Sequence, residues 1–317
     1  MIYWCKKCKT PIFEKGLHSC SCDGKITKIS ESSICNPVFK QEKKLLEKIM
    51  DCSLGNEIIW YLGASKYLIN EKIVKIPYRE WYKQKKHLAI AEELRGDIEV
   101  ERDYSPYMAV VSANEKYLNN IIYEAEQYIV QTLEKYKKDN YIPTVSFSGG
   151  KDSSVVSRLV MDALQDNTVI HMFGDTTLEF HETYIYVNEK FRRENPRVPM
   201  IPSETENDFF KMCKVFGPPS QYERWCCTIF KTSNLNKEYE NLPGNSLTFL
   251  GIRHSESVAR ARYDRTQEIS KISSQVNAMI MTFGYIFWQR ICLLMIVTST
   301  GIKELVAGVV RITQIGQ

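Results

Sequence analysis

From Thr144 to Ile252 the chain alternates short apolar runs with amphipathic stretches, and few folds accept that pattern. Strands are expected at Thr144 to Phe147, Val169 to Phe173, Val198 to Ile201 and Leu247 to Ile252. Between them, helices are expected through Val155, Val156, Leu159, Val160 and Leu164, from Glu182 to Glu194, and from Phe209 to Val215. Strands separated by helices build βαβ units and a mostly parallel, doubly wound α/β sheet. Such sheets hold their ligands beyond the carboxyl ends of the strands, so the chemistry is to be sought there.

The segment before Thr144 reads differently. The first 35 residues hold five of the chain's ten cysteines and little that can be buried, so they need a staple. Cys5-x-x-Cys8 has knuckle spacing, and Cys20-x-Cys22 follows, with His18 and Cys35 in reserve. Four thiolates, Cys5, Cys8, Cys20 and Cys22, would close a structural zinc ribbon and supply the folding free energy this segment lacks. Residues 38–52 have helical spacing, and Ile58 to Leu62, Tyr67 to Ile69 and Ile73 to Ile76 suggest a small sheet. Ser112-x-x-Glu115 is a capping-box pattern, expected to open a long helix through Leu118, Ile121, Ile129 and Leu133. The expected domains are thus a ribbon over 1–37, a small α/β domain over 38–111 and the doubly wound domain over 112–278.

The strongest local signal is Ser146-Phe147-Ser148-Gly149-Gly150-Lys151-Asp152-Ser153, between a strand and a helix. Backbone N–H groups and the helix dipole favour an anion at such a junction. Two glycines let the backbone approach it, Lys151 adds a positive charge, and Ser148 and Ser153 can donate hydrogen bonds. It is not the common P-loop, because the position of that motif's first glycine is Val145 and its Ser/Thr is Asp152.

This loop resembles the PP-loop of the adenine-nucleotide α-hydrolase superfamily. Two further segments narrow the resemblance to the phosphoadenosine phosphosulfate (PAPS) reductase family. Phe173 to Thr183 resembles its DTGLEFPET segment, with Thr177 at the family's glycine and His181 at its proline. Gly251-Ile252-Arg253-His254-Ser255-Glu256-Ser257, followed by Arg260 and Arg262, resembles its GxRxxES…R segment. The resemblance implies ATP, or adenylyl sulfate or its 3′-phosphorylated form PAPS, bound by Ser148, Gly149, Gly150, Lys151, Asp152, Ser153, Asp175 and Arg253. Lys151, Asp152 and Arg253 are then the expected catalytic groups. Read by placement alone, Asp175 could accept from a ribose hydroxyl or the adenine amine, or cap a helix. Glu182 falls in a first helical turn, where an acid favours the dipole.

Cys226-Cys227, beside Trp225 and before Lys231, resembles the CC…K segment of the family's iron–sulfur members. There the pair joins a later C-x-x-C to hold a [4Fe–4S] cluster. Here only Cys292 follows, so the ligand set is incomplete. After Ser270 the motif resemblance stops and an apolar tail follows, set apart as residues 279–317. Back-translated with permitted synonymous codons and read two nucleotides along, that tail gives a stop-free string ending in a family-like GCWGCP. A frameshift is therefore an expectation, to be checked in the gene, with disordered packing after Ala278 as its consequence.

Composition excludes several classes. Lys and Arg number 42 against 38 acids, a net charge of +4 that gives no bulk support for nucleic-acid binding. Gln289 and Arg290 split the apolar stretch from Met279 to Val297 into pieces too short for a bilayer, and the N-terminus has no signal core. A cytoplasmic enzyme of sulfonucleotide reduction or ATP-dependent sulfur transfer is expected, with a sulfur donor or redox protein as partner. The family's C-terminal ECGxH nucleophile is absent, which weakens simple PAPS reduction. The competing expectation is an inactive nucleotide-binding product.

Overall fold

A computed structural model of the protein describes residues 1–19, 22, 24–30, 35–38, 40–83, 105–137, 140–203, 205–220, 222–253, 262 and 276–283. The chain divides into two compact units, Met1–Asn119 and Asn120–Gln317.

In the first unit β1 (Ile2–Cys5), β2 (Thr10–Ile12) and β3 (Ile26–Ser30) form an antiparallel sheet of order β2-β1-β3. A second antiparallel sheet follows, of order β4-β5-β6-β7: β4 (Asn36–Pro37), β5 (Trp60–Tyr61), β6 (Lys66–Ile69) and β7 (Lys72–Lys75). Asn70 and Glu71 join β6 to β7 with φ of 49° and 60°, the left-handed pair that a two-residue hairpin needs. Among the described residues this unit also holds helices α1 (Lys40–Met50), α2 (Tyr78–Lys83) and α3 (Ser105–Ala113). Ile2 and Trp4 of the first sheet, and Phe13 just after β2, share one core with Trp60, Leu62, Leu68 and Val110. The ribbon thus buries its apolar side against the second sheet, as a segment too small for its own core must.

The capping-box expectation at Ser112 is not met. Ser112 lies inside α3, and the long helix α4 (Glu115–Tyr136) opens after Asn114. The buried Asn114 side chain accepts from the Phe13 amide at 2.8 Å and donates to the carbonyls of Pro11 at 2.9 Å and Val110 at 2.8 Å. A fully satisfied amide bonded to backbone more than 100 residues away overrides a local capping preference.

In the second unit β8 (Ile142–Phe147), β9 (Ile170–Gly174), β10 (Met200–Ser203), β11 (Ser246–Arg253) and β12 (Val276–Phe283) form a wholly parallel sheet. Its order is β10-β9-β8-β11-β12. The helices are α5 (Lys151–Leu164), α6 (His181–Ile185, a π-turn Tyr186–Phe191, then Arg192–Glu194), α7 (Phe209–Phe216) and α8 (a π-turn Cys227–Thr232, then Ser233–Glu240). Phe147, Phe173, Val187 and Phe191 form one core cluster with α6, and Met172, Tyr239 and Leu242 form another with α8. The doubly wound expectation therefore holds, while α8 and β12 were not expected from the residue pattern. Met279 to Phe283, expected to belong to the aberrant tail, pair with β11 in register; the chain after Phe283 lies outside the described residues.

Candidate functional site

Chain order runs outward in both directions from the centre of this sheet: β8, β9, β10 to one side, β11 and β12 to the other. The order reverses between β8 and β11, and a crevice opens beyond the strand ends at such a switch point. The loop from Ser148 to Gly150 leaves β8 there and turns into α5.

Its shape is fixed by packing and by hydroxyl groups. Gly149 has φ of +69°, and a Cβ on it would stand 2.6 Å from Cγ2 of Val187 and 3.1 Å from Cγ2 of Thr183. Both the left-handed backbone and the press of α6 therefore demand glycine. The Ser148 amide donates to Ser153 Oγ at 3.1 Å, and Ser153 Oγ donates to the Gly150 carbonyl at 3.0 Å. Ser154 Oγ donates to the same carbonyl at 2.9 Å and lies 3.3 Å from the Tyr186 hydroxyl. Burial pushes the Tyr186 phenol up to about 12. Ser153 is buried, so its hydroxyl serves the loop, whereas Ser148 is exposed.

The N-cap of α5 is Gly150, and no side chain caps the helix. The first turn, Lys151 to Ser153, thus presents amides for which the helix itself offers no acceptor. Together with the dipole and Lys151, this geometry suits an anion.

Asp175 follows β9 directly. Its Oδ1 accepts from the Thr177 amide at 2.7 Å and the Tyr184 hydroxyl at 2.6 Å. Burial and the Asp175 carboxylate push the Tyr184 phenol well above its ordinary value. Asp175 is not a helix N-cap, since α6 is capped at Phe180. Thr177 has φ of +60°, the conformation that explains the glycine of the resembling motif and that costs a β-branched residue strain. His181 is the first residue of α6, where proline is favoured. Tyr184 and Tyr186 went unnoticed in the sequence, because nothing in Tyr184-Ile185-Tyr186-Val187 distinguishes these tyrosines from packing residues. The Ser203 hydroxyl, at the end of β10, is buried and unpartnered.

Arg253 closes β11 at the same edge; Arg260 lies outside the described residues, and Arg262 is exposed. Cys226 and Cys227 open α8, behind Trp225, whose ring stacks on Phe209 at 5.6 Å. Burial, and then Cys227, raise the Cys226 thiol pKa. Among the described residues no third thiol or imidazole gathers with them, so they do not complete a cluster site there.

The first unit does gather ligands. Cys5 Sγ lies 3.4 Å and Cys8 Sγ 3.1 Å from Cys22 Sγ, and Cys8 Sγ lies 3.9 Å from His18 Nε2. All four donor atoms fall within 4.8 Å of one another. Gly24 crosses this knuckle so closely that a Cβ on it would stand 2.8 Å from Cys5 Sγ. Burial holds the His18 imidazole below its ordinary value, a shift toward the neutral form that a metal needs. Three sulfurs and one nitrogen fit zinc; Cys20, also expected as a ligand, lies outside the described residues.

A parallel doubly wound sheet with a glycine-rich anion loop at its switch point defines an α/β nucleotide-binding domain of the PP-loop kind. Residues 142–290 match the model of the phosphoadenosine phosphosulfate reductase domain, and this part of the chain is a domain of that family. The match runs past Ser270, where the motif resemblance ends. The chain is similar to two uncharacterized proteins of Methanocaldococcus jannaschii. It is 34% identical to MJ0066 over 198 residues, covering 59% of this chain and 40% of that protein. To MJ0973 it is 29% identical over 192 residues, covering 61% and 43%. The chain thus spans less than half the length of either. Among solved structures it resembles the phosphoadenylyl-sulfate reductase of Candida auris, in a phosphate complex, at 15% identity and TM-score 0.37, over 58% of this chain and 90% of that one. It also resembles the U34-tRNA thiolase NcsA of Methanococcus maripaludis, with its [4Fe-4S] cluster, at 16% identity and TM-score 0.40, over 58% and 67%. No helix among the described residues is long and apolar enough to cross a membrane.

Proposed function

We propose that the second unit binds an adenine nucleotide through Ser148 to Ser153 and spends its activation on sulfur transfer, with ATP as the nucleotide. The observation carrying this reading is the uncapped first turn of α5 at the switch point, held open by Gly149 and the hydroxyls of Ser153 and Ser154. In this reading the amides of that turn and Lys151 take the phosphate oxygens, and Asp175, held by Thr177 and Tyr184, receives a hydroxyl or amine of the nucleoside. Arg253, at the end of the neighbouring strand, is the residue assigned to the charge that develops as pyrophosphate leaves. Zinc, held by Cys5, Cys8, His18 and Cys22, is structural, because four protein ligands leave it no open position. Cys226 and Cys227 are the thiols nearest in sequence to this domain's chemistry and are candidates to carry the sulfur.

Titration calorimetry with ATP, adenylyl sulfate and PAPS tests the reading. ATP should bind tightest, and Lys151→Ala should weaken it by about ten- to a hundredfold, the worth of a charge-assisted hydrogen bond. Preference for PAPS would move the assignment to sulfonucleotide reduction. Undiminished ATP binding by a folded Lys151→Ala variant would remove the anion loop from the site altogether.

A further inference from the structure

Helix α6 reaches both ends of the candidate site. Thr183 and Val187, one turn apart, press on Gly149. At about 100° per residue, Tyr184 falls to one flank of that ridge and Tyr186 to the other. The Tyr184 hydroxyl donates to Asp175 Oδ1 at 2.6 Å, and the Tyr186 hydroxyl lies 3.3 Å from Ser154 Oγ. The first contact serves the carboxylate beyond β9, and the second reaches the first turn of α5.

Counting hydrogens fixes the direction of that second contact. Ser154 Oγ carries one hydrogen and donates it to the Gly150 carbonyl at 2.9 Å, so toward Ser154 the phenol is the donor. Burial pushes this phenol up to about 12, which keeps its hydrogen in place. Ser153 Oγ donates to the same carbonyl at 3.0 Å, and so does the Ser154 amide, at 3.0 Å. Three donors therefore converge on the carbonyl of the helix N-cap. A carbonyl oxygen turned toward an anion repels it, and a glycine N-cap has no side chain to resist that turn. Held back into α5, the Gly150 carbonyl leaves the first-turn amides as the groups presented to a ligand. The Tyr186 ring is itself caged, with the centroids of Phe147 and Phe191 at 6.4 Å and 6.2 Å.

We propose that Tyr186 is a positioning residue of the anion loop: donating to Ser154, it holds that hydroxyl on the Gly150 carbonyl and keeps the loop shaped for phosphate oxygens. Tyr184 does the same for Asp175, so one helix sets the phosphate end and the nucleoside end through separate hydroxyls. This role rests on the nucleotide reading and adds to it which side chain shapes which end.

Titration calorimetry of the full chain tests it, with ATP as the ligand and sodium pyrophosphate and adenosine as competitors. Tyr186→Phe, which keeps the ring, should weaken ATP and pyrophosphate by the same factor, about three- to tenfold, and leave adenosine unchanged. Tyr184→Phe should weaken ATP and adenosine and spare pyrophosphate. Ser154→Ala should reproduce the Tyr186→Phe pattern, and adding Tyr186→Phe to it should cost nothing further, since the relay is already cut. A Tyr186→Phe variant that weakens adenosine as much as pyrophosphate, changes neither, or adds its full effect to Ser154→Ala overturns the assignment while the nucleotide reading stands. Absence of ATP binding by the unaltered chain removes that reading, and this role with it.

Discussion

The metal knuckle and the anion loop are both short turns that must gather polar groups, yet they are held together by opposite means. In the knuckle, Cys5, Cys8, His18 and Cys22 converge over a small cluster around Ile12 and Ala113, and three thiols crowd within 3.4 Å of a neighbour. In the anion loop no ligand is needed to set the geometry: Gly149 is pressed by Val187 and Thr183, and first-turn hydroxyls close on the Gly150 carbonyl. In the proposed reading, the first site would be completed by the metal it binds, whereas the second is ready before binding. Preorganisation of the second kind lowers the cost of capturing a ligand, whereas in the first the ligand is part of the fold.

Removing metal should separate the two most sharply. Chelation, or Cys8→Ser, is expected to unfold the first unit, since a structural zinc supplies about 10 kcal/mol or more in small ribbons. Nucleotide binding by the second unit should persist. Hydrogen exchange read separately over β1 to β3 and over β8 to β11 will decide, and simultaneous loss of protection in both breaks the contrast.

Acid should act on the second unit through a buried group. His171 is fully buried, with Nε2 2.7 Å from Ser157 Oγ and Nδ1 2.8 Å from the Val169 carbonyl. Burial lowers its pKa to about 4. The unfolded chain therefore takes up this proton first, near the ordinary 6.5. Stability is complete above that value and is lost as pH falls from about 6.5 to about 4, by about 3 kcal/mol in all. Urea unfolding of the metal-depleted protein at several pH values measures it, and His171→Phe should flatten the profile. A profile equally steep in that variant would assign the acid sensitivity elsewhere.

The smallest effect expected is a gain. Thr177→Gly relieves a left-handed threonine and should stabilise the second unit by about 1 kcal/mol, with the residue 177 amide still bonded to Asp175. A fall in melting temperature would mean that the threonine side chain has a role of its own.

The sheet was legible because its signals are local. Strand-length apolar runs, the glycine pair before Lys151 and the periodic face of α5 each declare themselves within a dozen residues. Of the expected ligands Cys5, Cys8, Cys20 and Cys22, three meet in the knuckle and Cys20 lies outside the described residues; His18, held in reserve by the sequence, joins them because of how the chain turns after Leu17. Ser112-x-x-Glu115 read as a helix start and was overridden by Asn114, whose partners at Pro11 and Phe13 are invisible to any local window. The π-turns of α6 and α8 are likewise set by packing.

Residue order alone therefore determined the parallel α/β class and the place of the glycine-rich turn between β8 and α5, because helix and strand periods and glycine torsions act over a few residues. Only the folded chain decided that β8 and β11 lie together at the switch point, that Ser153 turns inward and that His18 joins the thiols. Those outcomes depend on contacts between segments far apart in sequence, whose free energy is realised only once the cores are packed.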